Sequence, residues 1–353
     1  FKSGGPGSGL YRTLDGGKTW QELDSDDGLP KGELGRIGLA ISASSPNTIY
    51  ALTEAKKSVL LRSDDGGFKF RTVNSTDGIA PRPFYFCDIR VDPKDPNRIY
   101  SMHTVIDVST DGGRTFNSLV GWDAAHPDHH SMWIDPQDPQ RILIGNDGGV
   151  YTSSDQGATW RFCRNMPLAQ FYHVAVDNDV PYNIYGGLQD NGTWVGPSNY
   201  RYSKGWHQRG KYPWEELSEG DGMQIEVDPR NPEVVFTGSQ FGWYNRIDRQ
   251  TDDYTSLHPK HELGETPLRW NWQTHIWLSR HQPDILYMAS NRLHRSFDQG
   301  GNWETLSTDL TRGGRSGNVP FGTITSLHES PLRFGQLAVG TDDGLIQISR
   351  DGG

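Results

Sequence analysis

Three stretches of the chain concentrate side chains that can do chemistry. The first is Trp122-Asp123-Ala124-Ala125-His126-Pro127-Asp128-His129-His130. Imidazoles and carboxylates are the ligand types zinc takes, so His126, Asp128, His129 and His130 are candidate metal ligands. The segment has extended character, and successive side chains then alternate between two sides. The same residues also suit a hydrogen-bonded polar mouth with no metal. The second stretch runs Trp206-His207-Gln208, Trp214-Glu215-Glu216, Glu219-Gly220-Asp221 and pairs acids with aromatic platforms. Sugar rings stack on aromatic faces, and paired carboxylates hydrolyse glycosidic bonds. Asp128, Glu219 and Asp221 are the candidate acids of a hydrolase. The third is Arg269-Trp270-Asn271-Trp272 with His275, where alternation points one indole outward and packs the other. None of the three asks for a cofactor.

These stretches must be positioned by something, and the positioning elements repeat. Thr13-Leu14-Asp15-Gly16-Gly17-Lys18-Thr19-Trp20 returns in altered form at Ser63–Phe70, Ser109–Phe116, Ser153–Trp160 and Ser296–Trp303, and its first half returns at Ser349–Gly353. The aspartate can accept from the amides of its own turn, and glycine permits positive φ. The pattern is therefore a folding device, with its carboxylates already used. A second signal runs in step: Val91-Asp92-Pro93-Lys94-Asp95-Pro96, Ile134–Pro139 and Val227–Pro232 each sit between two apolar runs. Prolines 46, 96, 139, 181, 232, 283 and 331 recur at spacings of 50, 43, 42, 51, 51 and 48. Such a period suits a four-stranded propeller blade. From Asp155 to Asp298 is 143 residues, so two blades there lack the aspartate turn.

The expected fold is all-β, a seven-bladed β-propeller with four-stranded antiparallel blades, occupying 1–353 as one domain. Residues 1–23 read as outer strands of a closing or truncated blade, and 24–353 as seven repeats. Phe1 stands where a start methionine would, which implies a piece of a longer protein.

Strand order sorts the loops. The proline turns and aspartate turns share one side, and the irregular segments share the other, where function is expected. Arg36, Tyr85, His129, Gln170, Asp221, Trp272 and Thr323 enter the seven inner strands there. His130, Trp214 and Trp270 lie close to those entries. Asn146, Asp147, Gln189, Asp190, Asn191, Gln240 and Trp243 occupy the second turns. All are candidate ligand-binding residues.

The net charge of −10 argues against nucleic acid and anionic membranes as partners. No apolar run approaches the ~18 residues of a membrane span. Two cysteines, Cys87 and Cys163, make no disulfide framework. Asn74-Ser75-Thr76 and Asn191-Gly192-Thr193 match the glycan-acceptor pattern.

The aspartate turns resemble those of the Asp-box superfamily, which includes bacterial sialidases, tandem-propeller xyloglucan hydrolases and the sortilin-type receptor domain. Gly35–Ile41, Asp128-His129-His130, Gly145–Val150, Ala169-Gln170-Phe171-Tyr172 and Gln189-Asp190-Asn191 are similar to segments of large bacterial proteins described as sortilin-like or "glycosyl hydrolase, BNR repeat". The resemblance implies a secreted, periplasmic or cell-surface propeller. It does not carry over a catalytic set, because the sialidase Arg-Ile-Pro segment is missing and a single ring supplies half of a two-propeller cleft. Two functions are therefore expected. One is a module binding a glycan, a peptide or a neighbouring protein domain on the irregular face. The other is a glycoside hydrolase working through paired carboxylates.

Overall fold

The computed structural model describes residues 3–164, 166, 168–201, 213–317 and 319–353. Trp206-His207-Gln208 lies outside the described residues. The chain forms two compact units, Phe1–Met166 and Pro167–Gly353.

The first unit opens with a hairpin, β1 (Leu10–Arg12) and β2 (Gln21–Leu23). Three four-stranded sheets follow. They are β3–β6 (Ile37–Ile41, Ile49–Thr53, Val59–Ser63, Arg71–Asn74), β7–β10 (Asp88–Val91, Ile99–Met102, Ile106–Ser109, Asn117–Val120) and β11–β14 (His129–Ile134, Ile142–Asn146, Gly149–Ser153, Arg161–Phe162). The second unit holds β15–β18 (Phe171–Val176, Asn183–Leu188, Thr193–Pro197, Glu215–Ser218), β19–β22 (Glu226–Val227, Val234–Ser239, Trp243–Asp248, Asp253–Ser256), β23–β26 (Ile276–Leu278, Leu286–Ala289, Leu293–Ser296, Glu304–Thr305) and the three-stranded β27–β29 (Ile324–Glu329, Leu337–Thr341, Ile346–Ser349). Each sheet is an antiparallel meander in chain order. The fold is all-β, of the β-propeller class.

All seven spaced prolines fall in the first turn of a sheet, between its first and second strands. Their fixed φ suits a turn, and they have no N–H to contribute to a ladder. Within each unit the first strands of successive sheets lie side by side. The approach is close: a Cβ on Gly38 in β3 would sit 1.7 Å from the Cys87 carbonyl. Gly187 in β16 has the same constraint, 2.2 Å from the Met223 carbonyl.

Apolar layers fill the space between sheets. Tyr50, Leu52, Leu60, Cys87, Ile89 and Ile99 join the first two four-stranded sheets. Tyr185, Val195, Leu217, Ile225, Val235 and Ile247 join the first two of the second unit. Hydrogen bonds set the register between neighbours. The Tyr50 hydroxyl donates to the Pro96 carbonyl at 2.8 Å, and Tyr185 repeats this to Pro232 at 3.3 Å. Gln156 Nε2 donates to Asp92 at 3.1 Å and Gln299 Nε2 to Asp228 at 2.6 Å.

The aspartate turns are built as their residue types suggest. Asp15 Oδ1 accepts from the amides of Lys18 and Thr19 at 3.0 and 2.9 Å, and Oδ2 accepts from the Thr19 hydroxyl at 2.7 Å. Asp111 repeats all three bonds with Arg114 and Thr115. The preceding Ser or Thr donates to the carboxylate and accepts the amide of a following glycine, as Ser109 does for Gly113 at 2.9 Å. These bonds hold Asp15, Asp111, Asp155 and Asp298 down to about 2, led by Thr19, Thr115, Thr159 and Ser296 respectively.

Both cysteines are free thiols. Cys87 is fully buried, and its Sγ donates to the Leu52 carbonyl at 3.1 Å. Burial pushes that thiol up to about 11. A thiol reagent is therefore expected to modify Cys163 in the native protein and Cys87 only after unfolding. Rapid labelling of both in the folded state would contradict this packing.

The carboxylate turns generate a second expectation. Their folded values lie below the reference 3.8, so between pH ~4 and ~2 the unfolded chain binds more protons than the folded one. Their contribution is fully present above the unfolded value and is lost as pH falls through about 2. Melting temperature should drop over that interval, and replacing the four aspartates by asparagine should flatten the drop. A parent melting curve unchanged from pH 5 to pH 2 would refute the assignment.

Candidate functional site

Antiparallel meander order sends the first and third turns of each sheet to one edge. The second turns and the crossovers lie at the other edge. The proline and aspartate turns occupy the first edge, and the irregular residues occupy the second.

In the first unit this second edge carries a linked polar cluster. Arg36 Nη1 donates to the Tyr85 carbonyl at 2.7 Å, and its Nη2 lies 3.5 Å from Asp88. The Tyr85 ring sits 5.7 Å from the His130 ring. His130 Nε2 and Asp147 Oδ1 are 2.8 Å apart. Asn146 Nδ2 donates to the His126 carbonyl at 2.7 Å, and its Oδ1 takes the amides of Gly148 and Gly149. Four of the expected residues, Arg36, Tyr85, His130 and Asp147, are thus brought together.

His129 departs from its neighbours. Expected at an open mouth, it is 1% exposed, because strand alternation turns it inward where it turns His130 out. Burial, then the nearby charges of His103, His126 and His130, lower it to about 4. Among the described residues, its Nδ1 and Asp128 Oδ1 are buried without a hydrogen-bond partner. Among the described residues, no three His, Cys, Asp or Glu side chains gather as a metal site requires. His126, Asp128, His129 and His130 do not converge.

The second unit places its expected residues along a belt. Gln170 Nε2 donates to Gln189 Oε1 at 2.8 Å. Asp221 Oδ1 accepts the Asp190 amide at 2.9 Å and its Oδ2 accepts Gln240 Nε2 at 2.8 Å. Phe241 meets Trp272 edge to face, and Asn271 Nδ2 donates to Thr323 at 2.9 Å. Asp221, expected as an exposed acid, is 4% exposed and serves to tie two loops. Asn191 Nδ2 donates to the Gln189 carbonyl, and Asn74 Nδ2 donates to the Arg114 carbonyl. Both glycan-acceptor nitrogens are thereby engaged.

Beside the belt opens a groove of about 470 Å³, lined by Glu216, Leu217, Ser218, Glu219, Gly238, Ser239, Trp243, Asn245 and Tyr254. One wall is β18, the last strand of its sheet. The other is β20–β22 of the next sheet. Trp243 and Tyr254 are 60% and 56% exposed. Glu216 is raised above its ordinary value by burial and by the Glu219 charge.

Trp243 is backed by other rings. It stacks on His258 at 4.6 Å and 9°, His258 lies 4.7 Å from Trp270, and Trp270 lies 5.8 Å from His294. His258 Nδ1 donates to the Gly242 carbonyl at 2.8 Å, which fixes its plane. His294 is buried, lowered to about 4 by burial, and bonded to Ser290 and Thr305. Trp270 is 8% exposed. Expected as a ligand platform, it is instead the inner support for Trp243, while Trp272 keeps an open face. Trp214, another expected platform, is half-buried and packs over Gly196 of β17.

Glu219 and Trp243 are the expected residues that the groove brings together. Ser239, Asn245, Tyr254 and His258 were not expected. Ser239, Asn245 and Tyr254 come from strands, where alternation alone marks a residue as outward-facing without saying what it faces, and His258 comes from the irregular segment after β22.

No family profile matches this sequence, and no curated protein matches it. Among solved structures, a GH74 xyloglucanase from Xanthomonas campestris aligns at 14% identity and a TM-score of 0.33, over 89% of this chain and 45% of its own. A GH74 enzyme from Niastella koreensis aligns at 14% and 0.31, over 88% and 65%. YCF48 bound to D1 peptide aligns at 12% and 0.34, over 88% and 92%. The chain thus spans less than two thirds of either GH74 enzyme.

Because Asp221 ties two loops, Asp221→Ala should destabilise the protein by about 1–3 kcal/mol, as expected for buried donors left unpaired. Chemical denaturation measures this. A change within experimental error would mean that the two donors find other partners.

Proposed function

We propose that this chain is a secreted or cell-surface propeller module that binds a carbohydrate in the groove between β18 and β20–β22. The observation that carries the reading is Trp243, an exposed indole held flat by the His258–Trp270–His294 stack. A ring fixed before binding loses little freedom on binding, and preorganisation of this kind favours affinity. Tyr254 offers a second aromatic surface. Ser239, Asn245, Glu216 and Glu219 supply the polar groups that sugar hydroxyls need. Peptide and protein partners on the same face are the competing occupants.

A second reading, glycoside hydrolysis, has one observation in its favour. Glu216 is raised by burial and by a neighbouring carboxylate, the environment that suits a general acid beside a base. In that reading Glu216 protonates the leaving oxygen and Glu219 acts as base. Asp221 is left out, since both its oxygens are engaged.

A glycan array run beside a polysaccharide hydrolysis screen separates the two. Binding is expected without turnover. Trp243→Ala should weaken the best array ligand by at least about tenfold, the loss of one aromatic platform, and leave the melting temperature nearly unchanged. Products released by the parent but not by Glu216→Gln would establish the second reading.

A further inference from the structure

We infer that the groove selects a sugar bearing a protonated amine, a glucosamine-type oligosaccharide, over a neutral glucan. The inference rests on the carbohydrate reading above and concerns which sugar the groove prefers.

Among the described residues the lining holds two charged side chains, Glu216 and Glu219, and no cation. Their neighbour Glu215 is neutralised by Arg249 at 2.9 Å. Among the described residues, no ion pair takes up Glu216 or Glu219. The two carboxylates oppose each other: the charge of Glu219 is one of the two causes that raise Glu216. A positive ligand group beside them would relieve that repulsion, and because both side chains are exposed its attraction is one that salt screens. Opposite them stands the open face of Trp243, and an indole face also attracts a cation.

The flat ring stack favours an amino sugar over a basic peptide. A pyranose lays one face on an indole and projects its substituents sideways, toward groups such as Ser239 and Asn245. A lysine side chain presents a single chain of methylenes and leaves those polar groups unused.

The test is calorimetric titration with three tetrasaccharides, of glucosamine, N-acetylglucosamine and glucose, at pH 6 and low salt, with tetralysine as a fourth ligand. The glucosamine tetramer is expected to bind about tenfold tighter than the glucose tetramer, a typical yield for one well-placed charge pair. Added salt should shrink that ratio, and the Glu216→Gln/Glu219→Gln double variant should bring it to about one. Equal affinities in the parent would overturn the amine inference while leaving the carbohydrate reading standing. Failure of all three sugars would overturn both. Tetralysine binding tighter than any sugar would overturn the inference in favour of a basic peptide.

Discussion

Both units depend on a carboxylate that serves its own backbone. In the turns of Asp15, Asp65 and Asp111 the side chain accepts two successive amides, and in those of Asp155 and Asp298 it accepts one amide together with a preceding serine hydroxyl. The turn must then reverse between the third and fourth strands at one place and with one geometry. Gln156 and Gln299, inside two such turns at positive φ, reach the aspartates of the preceding sheet's proline turn. One edge of each unit is therefore tied within and between sheets. The opposite edge has no such repeat, and its residues are free to differ from sheet to sheet.

The groove follows from that difference. Successive sheets pack on apolar layers at their middles, and at the irregular edge the last strand of one sheet and the second turn of the next diverge. Glu216 and Glu219 come from one wall and Trp243 from the other. The ring stack runs from the groove into the core, so the platform's stiffness is borrowed from residues such as Trp270 and His294 that no ligand touches. Packing and recognition share atoms here, since a change at Trp270 would alter both.

Much of the architecture was legible because it repeats. The proline spacing located every first turn, and the aspartate pattern located the third turns of four sheets. The groove was only partly legible. Loop irregularity pointed to Glu219 and Trp243, but Tyr254 and Asn245 lie on regular strands whose alternation is silent about neighbours. Chemistry-bearing residues also misled where burial was not visible in sequence. His129 and His130 are adjacent and identical in type, yet one is sealed and the other is exposed beside Asp147. Asp221 reads as an acid and acts as a loop tie. Two glycan-acceptor patterns are matched by asparagines whose amides are already bonded.

The side-by-side stacking has a thermodynamic consequence. Each apolar layer joins a sheet to its immediate neighbour, and the tyrosine–carbonyl and glutamine–carboxylate ties also bridge adjacent sheets. Stability within a unit is then close to a sum of sheet terms and nearest-neighbour terms, as in a one-dimensional array. The groove spans one such layer: its aromatic wall belongs to β19–β22 and its acidic wall to β15–β18, so loosening the apolar layer between these two sheets opens the binding surface itself.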